Sequence, residues 1–198
     1  AGHSWEGLWR QITLLCGLLE HSVGAFSVQD VLGIVEALAR LSAMEGAFRA
    51  HLTGAKSVTV DTFAQHLLRP EVLGTITGEQ AATLLWAFGK LNYRKKGLAT
   101  KLAKHLLTAE LVPQLSPKDT ALTLWGMAKV SVLHRELLRA LAQLLAAPGA
   151  LAVYDQRDLV TVAWAYAKLG VRDDALMTAV AEQVGGEAGL VRHFLPRE

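Results

Sequence analysis

Leu85-Trp86-Ala87-Phe88-Gly89-Lys90-Leu91 returns 39 residues later as Leu124-Trp125-Gly126-Met127-Ala128-Lys129-Val130. A further 39 residues on it returns as Ala163-Trp164-Ala165-Tyr166-Ala167-Lys168-Leu169. Upstream stands a degenerate copy with Glu36 in place of the tryptophan and Arg40 in place of the lysine. Nine residues before each Trp or Glu comes Ser27, Thr77, Ser116 or Asp155, and three residues after that comes Asp30, Gln80, Asp119 or Asp158. A small polar residue followed at that distance by an acid or amide is the sequence form of a capping box, so each copy opens a helix. Pro117 takes the first helical position of its copy, where its missing N–H costs nothing. A fixed period of this length marks stacked helical repeats. Such a stack offers a long surface rather than one enclosed active site.

Each unit reads as a helix pair. In the second unit Ala81, Leu84, Leu85, Phe88 and Leu91 fall on one face of a 3.6-residue helix. Small residues flank the variable apolar slot Phe88/Met127/Tyr166: Ala87, Gly126 and Ala165 before it, Gly89, Ala128 and Ala167 after it. These are predicted to let neighbouring helices meet closely. The second helices are expected at 95–109, 134–146 and 173–184. Phe63-Ala64-Gln65-His66-Leu67-Leu68 matches Leu102-Ala103-Lys104-His105-Leu106-Leu107 at the same offset, so the longer first unit must hold its additional residues between Leu41 and Thr62, with a loop at 53–57. The expected fold class is all-α, one solenoid of about four helix-turn-helix repeats over 1–198. Its parts are a partial repeat at 8–20, repeats at 27–76, 77–115, 116–154 and 155–185, and a C-terminal cap at 186–198.

Hydrophobic residues form 52% of the chain and mean hydropathy is +0.28. No apolar run reaches the roughly 18 residues of a membrane-spanning helix, so membrane insertion is not expected and the apolar excess points to burial within a larger assembly. The single cysteine, Cys16, excludes an internal disulfide framework and is read as a core residue. The net charge of +2 conceals a pattern. Residues 77–115 carry six Lys/Arg against two Asp/Glu, and residues 116–154 four against two. Both flanking segments carry five against seven. The middle of the array is basic and its ends are acidic.

The motif L-W-A-x-[AG]-K-[LV]-[GNS], best seen at 85–91 and 163–170, resembles the octotricopeptide repeat and the related repeats of FAST-kinase-like and RAP-containing organellar proteins. That resemblance covers about residues 27–185. It implies RNA binding in mitochondria, with chloroplasts or another plastid as the alternative. Four repeats are few for a reader that meets one base per repeat. A ribosomal protein contacting rRNA is therefore the first expectation, among neighbouring proteins of a ribonucleoprotein. A soluble organellar RNA-maturation or stability factor and a protein–protein scaffold of another organellar complex are the alternatives. After Val184 no RAP domain is recognisable.

Two groups of cations are candidates for RNA contact. Arg40, Lys90, Lys129 and Lys168 recur once per repeat in the last turn of the first helix, a ladder that would track a phosphate backbone. A cation there also complements the helix dipole and lays its stem on the tryptophan four residues back. Arg94, Lys95, Lys96, Lys101, Lys104 and His105 form the densest basic cluster, extended by Arg135 and Arg139 in the next unit. The tryptophans, repeated beside small residues, are read as packing elements rather than base-stacking platforms. The seven histidines show no zinc-binding spacing, and no nucleotide-binding or nucleophile motif is present. No enzyme activity, cofactor or metal is expected.

Overall fold

A computed structural model describes residues 11–12, 14–15, 17–18, 21–44, 59–93 and 95–185 of the chain. Among these residues all the regular structure is helical. The helices are α1 (Val28–Met44), α2 (Thr59–Leu67), α3 (Pro70–Leu73), α4 (Gly78–Leu91), α5 (Lys96–Thr108), α6 (Pro117–Val130), α7 (Arg135–Leu145), α8 (Gln156–Leu169) and α9 (Asp174–Gly185). They pair as α1/α2, α4/α5, α6/α7 and α8/α9. The first helices α1, α4, α6 and α8 lie side by side as one layer, and α2, α5, α7 and α9 form the second. The loop expected at 53–57, Cys16 and the C-terminal cap at 186–198 lie outside the described residues.

The starts of the first-layer helices follow from their caps. Thr77 Oγ1 accepts from the Gln80 N–H, and the Gln80 side chain answers on the Thr77 N–H at 3.0 Å. Ser116 and Asp119 close the same reciprocal pair, as do Ser27 and Asp30. Two donors that would otherwise stand unpaired at each helix start are thereby satisfied. The variable last letter of the motif is explained at the other end. Asn92, Ser131 and Gly170 are all left-handed, with φ of 57°, 55° and 66°. The N–H of the next residue then returns to the carbonyl of Phe88, Met127 or Tyr166 at 2.9–3.0 Å, a Schellman-type stop.

The first layer packs through the small residues. A Cβ on Gly126 would stand 2.9 Å from Leu85 Cβ and 2.5 Å from the Leu85 carbonyl carbon, and one on Gly89 would stand 2.9 Å from the Trp125 ring. The backbones of α4 and α6 are therefore in near-direct contact. Phe88, Met127 and Tyr166 fill the same buried slot between the layers. The Tyr166 hydroxyl donates to the Leu138 carbonyl at 2.6 Å, satisfying the one polar atom in that slot. At the far side of α8, Val160 stands exposed where Ala82 and Ala121, at the same register, are buried.

His105 corrects the sequence reading. It is buried, and its Nε2 lies 2.7 Å from the carbonyl of Ile76, the residue before the N-cap of α4. One period earlier His66 makes the same contact, 3.1 Å from the carbonyl of Phe26. The histidine is a strut from second helix to first, not a phosphate contact. Replacing His105 by alanine strands the Ile76 carbonyl and opens a cavity, and should cost about 2 kcal/mol. A urea unfolding midpoint would read that loss; an unchanged midpoint would remove the strut.

Candidate nucleic-acid interface

Trp86 and Lys90 are four residues apart and so share a face of α4. That face points to solvent, away from the second layer. Trp86 and Trp125 are half-buried and Trp164 is 37% exposed; Trp125 packs against Gly89 and Trp86 against the core, so the tryptophans are packing elements that also keep accessible surface. They alternate with the cations along the layer. Arg40 lies 5.6 Å from the Trp86 ring and Lys90 5.9 Å from it. Lys90 also lies 5.0 Å from Trp125, and Lys129 sits 5.2 Å from Trp125 and 5.9 Å from Trp164. Each of these lysines thus touches its own tryptophan and that of the next repeat. Arg40 is tied as well to Glu36 at 2.7 Å. Lys168 ends the row, exposed on α8.

The second cation group divides. Lys96, Lys101 and Lys104 on α5, and Arg135 and Arg139 on α7, are exposed on the outer face of the second layer. This is a different surface from the ladder. Lys95 pairs with Asp61, which also accepts from the Tyr93 hydroxyl at 2.6 Å. Lys95 thereby joins α2 to the start of α5. Arg94 lies outside the described residues.

Burial tends to raise the Asp61 carboxyl, but hydrogen bonds from Lys95 and Tyr93 and the Lys95 charge outweigh it, and its pKa lies below the ordinary value. Tyr93 moves upward, through burial first and then its bond to the Asp61 carboxylate. A carboxyl held below its unfolded pKa stabilises the fold above that pKa, about 4, and loses this contribution as pH falls through the lower folded value. The stability difference between the parent and Asp61→Asn should accordingly be full at pH 7 and shrink below about pH 4. Urea midpoints at four pH values would show it; a difference that grows on acidification would refute the assignment.

A groove of about 480 Å³ opens between α4, α6 and α8. Trp86, Lys90 and Trp125 line it, as do Lys118, Asp155, Arg157 and Asp158 from the first turns of α6 and α8. Sequence reasoning missed Lys118 and Arg157. They stand 39 residues apart, each at the second position of its helix. The repeat register pairs them as surely as it pairs Lys90 with Lys129. A cation in the first helical turn opposes the helix dipole, so helix stability does not account for either. Asp155 caps α8 by accepting the Asp158 N–H at 2.8 Å. The Asp158 carboxyl is pushed upward by its own burial and then by the Asp155 charge, against the pull of Arg157 and Lys118. Among the described residues no His, Cys, Asp and Glu group has metal-binding geometry, and no helix is long and apolar enough to cross a membrane.

The family described as RNA-editing substrate-binding complex 6 protein matches residues 15–195. The chain belongs to this family. Its members' name differs from that of the octotricopeptide and FAST-kinase-like proteins that the motif resembles. The match spans the whole of the described repeat array from α1 to α9. No curated protein matches the chain.

Proposed function

We propose that this chain is a non-catalytic, RNA-binding subunit of an RNA-editing substrate-binding assembly, holding single-stranded RNA along its first-layer face. The observation that carries the reading is the alternating row Arg40, Trp86, Lys90, Trp125, Lys129, Trp164. It offers charge for phosphates and ring faces for bases along one line. The lysines are displaceable covers. An exposed cation–π contact is worth about 0.5–1 kcal/mol, and a base stacked on an aromatic ring about 1–3 kcal/mol. Exchange of a lysine for a base is downhill, and the released ammonium is free to meet a phosphate.

The family's description names an RNA-editing assembly, so the expectation of a ribosomal subunit on rRNA gives way to that partner. The mitochondrion is the compartment we assign, since RNA-editing complexes of this kind are mitochondrial. Protein neighbours fit the open side of α8, where Val160 and Trp164 are exposed. Titration of the chain with a fluorescent single-stranded RNA at several salt concentrations tests the reading. Counterion release predicts a slope of log K against log salt near −0.7 per phosphate met. A row of about four cations therefore predicts a slope near −3. No measurable binding at low salt would reject it in favour of a protein scaffold.

A further inference from the structure

The groove between α4, α6 and α8 has properties that the row of cations lacks, and its reading rests on the RNA-binding proposal above. Its volume of about 480 Å³ suits one nucleotide and is too small for a duplex. Lys90, at 5.0 Å from the Trp125 ring, is a movable cover over an aromatic surface inside it. Lys118 and Arg157 supply positive charge at helix positions that stability does not favour. Two carboxylates lie beside those cations, and Asp158 is half-buried. An acidic pair at a helix start is by itself only a capping feature. Here it faces a cavity that already carries two aromatic rings and three cations.

The chemistry of the bases then decides among them. Guanine presents two adjacent donors, N1–H and N2–H, beside the acceptor O6. One carboxylate takes both donors while a neighbouring cation takes O6. Adenine and cytosine each offer a single exocyclic amine next to a ring acceptor, and uracil one N–H between two carbonyls. Edge recognition of an unstacked base is the usual means of sequence selection in single-stranded RNA.

We propose that this groove takes one unpaired guanine nucleotide of a single-stranded RNA, its base on Trp125 in place of the Lys90 ammonium, its Watson–Crick edge on Asp158 and Arg157, and a flanking phosphate on Lys118. The selection comes from the carboxylate, and the affinity from the ring and the cations.

The test uses the full chain and fluorescent twelve-nucleotide oligouridines carrying one central G, A, C or U, at constant salt. The G oligomer should bind about tenfold more tightly than the other three, the discrimination of one bidentate contact. Asp158→Asn should bring the four within about twofold, while Asp119→Asn, its counterpart one repeat earlier, should keep the preference. Free guanosine monophosphate should bind at least tenfold more weakly than the G oligomer, because it lacks the flanking phosphates. Four equal affinities on the parent chain would overturn the proposal whatever the variants do. So would a preference that survives Asp158→Asn, or a monophosphate as tight as the oligomer. Binding of none of the oligomers would instead overturn the RNA reading on which the site depends.

Discussion

Replacing Gly126 by alanine destabilises the protein by about 2 kcal/mol, the ordinary cost of overpacking a close contact, although alanine is the better helix former by about 1 kcal/mol. The new methyl group would meet the backbone of Leu85, not the end of a flexible side chain. No rotamer change relieves that contact, and α4 and α6 must move apart. Gly33 supplies the control. It lies within α1, is exposed, and a Cβ there meets nothing within 4 Å. Gly33→Ala should therefore stabilise by up to about 1 kcal/mol. Thermal or urea unfolding of the two variants should give shifts of opposite sign. A stabilising Gly126→Ala would mean that the first layer is not held through its small residues, and the solenoid packing would have to be redrawn.

Much of that packing was legible because a repeat reports the same constraint several times. Gly126 and Gly89 sit where the other units carry alanine, so the requirement for small volume was visible. The left-handed stop was not read: Asn92 and Gly170 tolerate positive φ, but Ser131 in the same place has no such preference and hid the pattern. Depth was harder to read. Trp125 repeats with the period of a core residue, yet Lys129 four positions on shares its face, and a lysine keeps its ammonium in water. Taken together the pair implies a ring at the surface of the layer; the ring taken alone does not. His105 stands on the boundary between the face of Lys101 and that of Leu98 and Leu102. Only its recurrence at His66, before the same kind of carbonyl, marks it as a strut. The Asp61, Tyr93 and Lys95 group joins residues 32 and 34 positions apart, and no local pattern announces such a pairing. Charge density drew attention to α5, and so passed over Lys118 and Arg157, which belong to no dense cluster but oppose the dipole of the helices that carry them.

Reversing the two central rungs, with Lys90→Glu and Lys129→Glu together, lowers affinity for single-stranded RNA by about two hundredfold at 0.15 M salt. The estimate follows from counterion release: one phosphate contact on a single strand contributes about fourfold at that ionic strength. Reversing the charge turns that gain into a repulsion of similar size, so each rung counts about twice. Lys101→Glu with Lys104→Glu makes the same change in net charge on the outer face of the second layer. If RNA lies on the first layer, this second pair shifts affinity by no more than about threefold, through long-range potential that salt screens within about 8 Å. Equal net charge in the two variants is what gives the comparison its force, because a merely attractive basic protein would respond alike to both. The first pair also removes cation–π contacts from Trp86, Trp125 and Trp164, so a melting curve must accompany it. Each such contact is worth at most about 1 kcal/mol at an exposed ring, which a folded array should tolerate. A large loss in the second pair and a small one in the first would transfer the RNA to α5 and α7 and leave the ladder a structural clasp. Small losses in both would take RNA off these faces altogether, whereas a selective loss at Lys90 and Lys129 ties the repeat motif itself to the RNA.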